Sequence, residues 1–315
     1  MKYRRLGRSG LKVSEISLGS WLTFGKTVDE QMAMKTVHKA YELGINFFDT
    51  ANVYERGEAE RILAGALKEY PRESYCLATK AFGAMGDGPN DKGLSRKHIM
   101  EQVHASLKRM DLDYVDVFYC HRYDIDTPVD ETLRAIDDLI RQGKILYAGV
   151  SEWTAAQIQE AIAVADKYLL DRIIVNQPQY NMLHRDIEDE IIPVCEKNGI
   201  SQVVYSPLAQ GVLTGKYRGG TIPTGSRGAN SQVNSWVKNI INGIVSTKID
   251  RLEEFANELG VTLPELALSW ILRQHNIAST LVGATNPEQI EANAKATDLV
   301  LGFDEIKRIE AILTV

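Results

Sequence analysis

Four residues of this chain have the types and positions that proton-transfer chemistry needs: Asp49, Tyr54, Lys80 and His121. Three of them close short apolar runs that read as strands, Ile45–Asp49, Tyr75–Lys80 and Val115–His121, and Tyr54 follows the first run by five residues. Asp49 and Lys80 are 31 residues apart and Lys80 and His121 are 41 apart. Each gap accommodates one βα unit, which takes about 30 residues, so the residues fall at the ends of adjacent strands. A free phenol titrates near pH ~10, too high for efficient proton transfer at neutral pH. A neighbouring ammonium such as Lys80 lowers that value by stabilising the phenolate. Lys80 in turn needs an anion to stay charged in a partly buried site, and Asp49 supplies one. His121 is placed to donate a hydrogen bond to a carbonyl oxygen. Together the four suit protonation of a carbonyl oxygen as hydride reaches its carbon.

The elements that must position them alternate between strand and helix. An N-terminal β-hairpin turns at Gly7–Gly10. Strands then read at Ile16–Gly19, Ile45–Asp49, Tyr75–Lys80, Val115–His121, Ile145–Val150, Arg172–Asn176, Gln202–Tyr205 and Ser279–Gly283. Helical patterns fall between them, at about residues 29–43, 58–70, 95–110, 128–142, 154–167 and 186–198, with later ones at about 248–259, 263–273 and 287–296. Eight strands with intervening helices argue for an α/β fold, a (β/α)8 TIM barrel with an N-terminal hairpin and extra C-terminal helices. Such barrels build their sites from the C-terminal ends of the strands. The rival is a doubly wound open sheet, which would announce itself with G-x-G-x-x-G after the first strand; this chain has none. No linker-like stretch divides the 315 residues, so one domain over 1–315 is expected.

Composition is that of a globular protein, 44% hydrophobic and 25% charged, with net charge -6. That balance gives no support for nucleic acid or an anionic membrane as partner. Cys76, Cys120 and Cys195 lack C-x-x-C spacing and read as reduced thiols of a cytoplasmic protein. The six histidines form no metal-spaced cluster, and no metal centre is expected. Gly211-Val-Leu-Thr-Gly-Lys216-Tyr217 is one residue short of a P-loop and has tyrosine where Ser or Thr would hold Mg²⁺.

Longer motifs extend the pattern. Gly44-Ile-Asn-Phe-Phe-Asp49-Thr-Ala-Asn-Val-Tyr54-Glu-Arg-Gly-Glu-Ala-Glu60, with Lys80 and Gly149-Val-Ser-Glu-Trp153, closely resembles the signature of the aldo-keto reductases. The resemblance spans essentially the whole chain. Within the family the chain looks most like the branch that includes potassium-channel β-subunits and their bacterial relatives. Supporting segments are Gly93-Leu-Ser-Arg-Lys-His-Ile99, Ser206-Pro-Leu-Ala-Gln-Gly211 and Leu281-Val-Gly-Ala-Thr-Asn286.

The resemblance implies reduction of an aldehyde or ketone with NADPH, without a Rossmann domain. It makes Tyr54 the general acid, tuned by Lys80 and Asp49, with His121 orienting the carbonyl. It places the nicotinamide carboxamide on Ser151 and Gln177 and the ring against Tyr205. It puts Ser20 and Trp21, with Asp49, along the cofactor and substrate cavity, and the pyrophosphate against the backbone of Ser206, Pro207, Leu208 and the residues up to Gly211. Lys216 and Arg227 reach the phosphates from a glycine-rich lid after strand seven, and Gly283, Thr285, Gln289 and Asn293 meet the adenosine end. Two departures stand out. No lysine or arginine lies between Leu281 and Glu291 for a 2′-phosphate, and His121 stands where the channel subunits carry asparagine. The substrate pocket is expected near Trp21, Phe24, Phe82, Trp153 and Trp236. A homo-oligomer is left open, because the channel-subunit relatives are tetrameric and others monomeric. The alternative role is a cofactor-bound redox sensor with slow turnover.

Overall fold

Side chains alternate across a strand, so a barrel strand sends every second residue to the axis. Here the inward set includes Phe47, Ala78, Val117, Tyr119, Val175 and Val203, which form one buried cluster inside the barrel. Two residues further along each strand, or at the next inward position, come Asp49, Lys80, His121, Gln177 and Tyr205. The outward set, among it Phe48, Leu77, Phe118, Ala148 and Val150, packs beneath the helices. One periodicity thus builds the core and aims the polar residues at the mouth.

The computed structural model describes residues 1–231, 233–241 and 243–314. A hairpin of β1 (Tyr3–Arg5) and β2 (Lys12–Ser14) precedes the barrel. The barrel proper runs β3 (Ile16–Gly19), α1 (Glu30–Glu42), β4 (Phe47–Asp49), α2 (Glu58–Leu67), β5 (Cys76–Ala81), α3 (Arg96–Met110) and β6 (Val115–Cys120). It continues through α4 (Val129–Arg141), β7 (Ile145–Ser151), α5 (Ala155–Tyr168), β8 (Val175–Gln177), α6 (Ile191–Asn198) and β9 (Ser201–Tyr205). After β9 come 3-10 turns, α7 (Ser235–Lys238), α8 (Gly243–Glu258) and α9 (Leu263–Leu272); then β10 (Ile277–Val282), α10 (Pro287–Ala294) and α11 (Phe303–Thr314). Strands β3 to β10 are all parallel and close on themselves, β10 pairing with both β9 and β3. The expected (β/α)8 barrel is the observed fold. Leu6 and Val13 of the hairpin join the cluster inside the barrel, so the hairpin plugs the end opposite the site.

Helix starts follow local chemistry. Ser95 and Asp29 accept from backbone N–H groups of the first turns of α3 and α1, and Thr154 and Thr262 form capping boxes with Gln157 and Glu265.

Three elements depart from the sequence reading. The sixth barrel strand is Val175–Gln177, not 172–176: Arg172 turns away to the Asp166 carboxylate, and pairing with β7 begins at Val175 opposite Gly149. Helix α6 starts at Ile191 rather than 186, because Glu188 is taken up by Tyr180, Arg185 and Arg273. Helix α8 begins at Gly243, earlier than expected, and Arg218 reaches back to Asp250 and Glu253 of this helix, both at 2.6 Å. That ion-paired anchor pins the glycine-rich segment after β9. Among the described residues no helix is long and apolar enough to cross a membrane.

Candidate active site

Asp49 ends β4, Lys80 lies one residue before the end of β5, and His121 directly follows β6, its N–H bonded to Ala81 O at 3.1 Å. The Lys80 ammonium donates to Asp49 Oδ1 in a very short contact, to Thr50 O at 2.9 Å and to Tyr54 Oη at 3.4 Å. Tyr54 Oη lies 3.5 Å from His121 Nε2. The other Asp49 oxygen accepts from Gln177 Nε2 at 2.8 Å, across the barrel from β8. Lys80 and Asp49 are fully buried, while Tyr54 and His121 are partly open to the mouth. The four sequence-identified residues therefore meet.

Burial decides their protonation. It lowers the Lys80 ammonium and raises the Asp49 carboxyl, and in each case the ion pair opposes the shift. Burial, with the Asp49 charge next, holds the Tyr54 phenol well above its ordinary value. Whatever lowering Lys80 exerts on this phenol, burial and the Asp49 charge outweigh it in the resting site. Tyr54 is thus a protonated donor. Burial, then the Lys80 and Arg122 charges, holds His121 well below the usual histidine range, so the imidazole is neutral.

The turn that carries Tyr54 is strained. Glu55 (φ 45°), Arg56 (φ 54°) and Gly57 (φ 93°) are consecutively left-handed. L-residues pay roughly 1–2 kcal/mol for that conformation, so neighbours must enforce it. Arg109, from the last turn of α3, lies against Gly57 where a Cβ would be. Its Nε donates to the buried Glu60 at 2.7 Å and its Nη2 to Ser106 Oγ at 3.0 Å. The second Glu60 oxygen accepts from Thr79 Oγ1 at 2.6 Å, the residue before Lys80. One carboxylate thus ties the Tyr54 turn to the strand that bears Lys80. Among the described residues, nine non-glycine residues have positive φ; Leu22, Glu55, Arg56, Glu152, Ser206, Ala209 and Gln210 lie in loops at the mouth, and Asp111 and Leu169 cap helices. The strain is concentrated at the site.

The other sequence-identified positions fall into three groups. At the mouth, Ser151 Oγ donates to Gln177 O at 2.8 Å, and Trp21 packs edge-on against Tyr205, with ring centres 6.4 Å apart. Ser20 is buried and bonded to Thr50 Oγ1 at 2.9 Å, so it braces the frame. Around the 3-10 turn after β9, Arg227 donates to Gln210 Oε1 and Gln210 to Ser206 Oγ at 2.6 Å. Lys216 reaches the same turn, its Nζ 3.0 Å from where a Cβ on Gly211 would stand. Among the described residues neither Lys216 nor Arg227 has a carboxylate within ion-pair distance. Desolvation lowers both, and for Lys216 the Arg227 charge adds to it. The two cations therefore stand within reach of each other's charge with no carboxylate partner among the described residues. In the last group, Asn286 caps α10, Gln289 Oε1 accepts from Thr285 N–H at 3.0 Å, Asn293 is buried and Gly283 is exposed.

Some expectations are revised. Pro207 has no N–H, and the Ala209 and Gly211 amides bond to Ser206 O (3.0 Å) and Leu208 O (2.8 Å), so amide contact with a phosphate falls to Ser206, Leu208 and Gln210. Phe24 and Trp153 are buried in the core and do not line the mouth. Trp236 does: it is 50% exposed and packs edge-on against Trp21 at 5.4 Å. Sequence reasoning missed Glu60, Arg109 and Arg122. A charged residue on the buried face of α2 was the available signal for Glu60; its partner, 49 residues away, had none.

Comparison with known proteins agrees with the geometry. The profile described as the Aldo/keto reductase family matches residues 15–314. A protein of Arabidopsis thaliana named a probable voltage-gated potassium channel subunit beta is 46% identical over 303 residues, covering 95% of this chain and 92% of that one. A protein of the same name from Oryza sativa subsp. japonica is 44% identical over 318 residues, covering 99% and 97%.

Proposed function

The chain belongs to the aldo/keto reductase family, and from that premise we propose that it reduces aldehydes and ketones to alcohols with NADPH, Tyr54 giving the proton. The observation that carries this reading is the Tyr54 hydroxyl set between Lys80 at 3.4 Å and His121 at 3.5 Å, with Lys80 closed on Asp49. Both contacts are longer than a tight hydrogen bond, which suits a hydroxyl that turns toward a substrate oxygen.

The residues present fit the cofactor. Lys216 and Arg227 would hold phosphate with their unmatched charges, Ser151 and Gln177 would hold the carboxamide, and Tyr205 presents an aromatic face at the mouth. NADPH supplies the hydride when bound. The protein supplies the rest. His121, held neutral, donates a hydrogen bond to the carbonyl oxygen and polarises it. Tyr54, held protonated, transfers its proton to that oxygen. The phenolate left behind faces Lys80, whose charge stabilises it at the moment it forms. Asp49 and Gln177 keep Lys80 in place. The whole of 1–315 acts as one catalytic unit in the cytoplasm, alone or as a homo-oligomer, with a small carbonyl compound as partner and neither nucleic acid nor membrane.

The test is NADPH absorbance with an activated aromatic aldehyde, for wild type and Tyr54→Phe. The expected result is turnover that falls by roughly 10²–10⁴ in the variant while NADPH affinity stays within about twofold. Loss of cofactor binding in Tyr54→Phe contradicts the assignment. The names of the similar plant proteins, probable voltage-gated potassium channel subunits beta, favour a second reading as a channel subunit; in that reading the bound cofactor would report redox state. Very slow turnover with retained cofactor in the wild type selects it.

A further inference from the structure

Arg122 follows His121 and is exposed at the rim of the site. Its guanidinium donates to His121 O and lies 3.5 Å from Ser151 Oγ, bridging the ends of β6 and β7 over the mouth. Both partners are neutral oxygens. Among the described residues no carboxylate stands within ion-pair distance of it. Asp49 is closed on Lys80. Glu152, on the same side, accepts from the Gln179 N–H at 2.7 Å and turns its charge on the Tyr205 hydroxyl, outside ion-pair distance of Arg122. Arg122 is therefore a guanidinium without a paired carboxylate at the mouth of the site. Its field reaches the groups around it: it disfavours protonation of Lys80 and His121 and pulls the Tyr54 and Tyr205 phenols down, against burial. Tyr205, which its field reaches, meets the half-buried Trp21 edge-on, and Trp21 meets the exposed Trp236 edge-on, so an aromatic wall runs from the site to solvent.

We infer that Arg122 is a specificity residue that selects carbonyl substrates bearing an anionic group, a carboxylate or phosphate, on an aromatic or apolar body. This rests on the reductase reading of the same site. A guanidinium presents a fork of N–H donors matched to such oxygens and pairs with them in two parallel hydrogen bonds. Trp21 and Trp236 take the flat body, Tyr205 being left to the cofactor, and the carbonyl meets Tyr54 and His121. Lys216 and Arg227 lie on the other side of Tyr205 in sequence, on the segment assigned to the cofactor, so Arg122 is the cation left for the substrate.

The experiment compares kcat/KM for 4-carboxybenzaldehyde and for its methyl ester, nearly the same shape without the charge, with saturating NADPH. Wild type prefers the acid, and the acid-to-ester ratio falls about tenfold or more in Arg122→Gln, the range of one charge-assisted hydrogen bond. Arg122→Lys keeps part of the ratio. Arg122→Glu inverts the preference, favouring the 4-formylphenyl trimethylammonium cation over the acid, a swap that a merely structural arginine would not produce. A ratio unchanged in Arg122→Gln and Arg122→Glu overturns the inference. Should wild type oxidise NADPH with none of these aldehydes, the reductase reading fails by itself. Benzoate binding to the full chain, followed by tryptophan fluorescence against methyl benzoate, then decides for Arg122. Anion-selective binding lost in Arg122→Gln supports the site, and binding indifferent to the charge or the substitution refutes it.

Discussion

Gly57→Ala probes how the fold aims Tyr54. Gly57 has φ 93°, and a Cβ there would stand 2.5 Å from Arg109 Cδ and 2.6 Å from its Nε. The left-handed backbone alone costs an alanine roughly 1–2 kcal/mol. The clash then drives Arg109 off Glu60, whose carboxylate is buried with only Thr79 remaining as partner. Breaking a buried pair costs about 3–5 kcal/mol, but Arg109 is 26% exposed and regains water, so a total of about 3–5 kcal/mol is expected. At roughly 2 °C per kcal/mol for a chain of this size, Tm falls by roughly 6–10 °C. Turnover falls further than stability explains, since a shift of about 1 Å in the Tyr54 hydroxyl costs on the order of 100-fold. Gly65→Ala is the control: it lies in α2, an added Cβ meets nothing within 4 Å, and it stabilises by about 0.5–1 kcal/mol without slowing turnover. In an Arg109→Ala background the cost of Gly57→Ala shrinks, because the clash is gone. A Gly57→Ala protein that keeps wild-type Tm and kcat refutes the brace. One that loses stability but keeps kcat at folding temperatures shows that the brace does not position Tyr54.

Further outcomes follow from the same geometry. Lys80→Met strands the buried Asp49 charge, so stability falls by about 3–5 kcal/mol by denaturant titration; an unchanged midpoint would show that the pair contributes nothing. His121 has a folded pKa below its unfolded value, so its contribution is present above about pH 6.5 and is lost as pH falls through the folded value. The Tm of His121→Phe should therefore decline less than wild type below that pH, and parallel curves would contradict the burial argument. Arg227→Ala should weaken NADPH by about tenfold or more and NADH clearly less; equal losses in fluorescence titration would remove its 2′-phosphate role.

Much of this site could be read along the chain because strand alternation is local. Once Ile45–Asp49 and Tyr75–Lys80 are strands, Asp49 and Lys80 must share the face of Phe47 and Ala78, and parallel βα units bring their ends together. Gln177 and Tyr205 came from the family resemblance instead, since the sixth strand as read along the chain stopped at Asn176; alternation explains why they share the face of Val175 and Val203. Contacts made through packing were not legible. Gln177 meets Asp49 from 128 residues away, and Glu60 meets Arg109 across two helices. Phe24 and Trp153 look like pocket residues by type, yet packing buries them while it leaves Trp236 open. Nor does residue type set the protonation of Tyr54, which depends on how much water the folded mouth removes and on the Asp49 charge near it. The sequence by itself determined which groups face the barrel axis, because side-chain direction is a property of the strand. Only the tertiary structure decided which of them touch, how strained the Tyr54 turn is and which charges are left unmatched, because desolvation and pairing are properties of what surrounds a group in space.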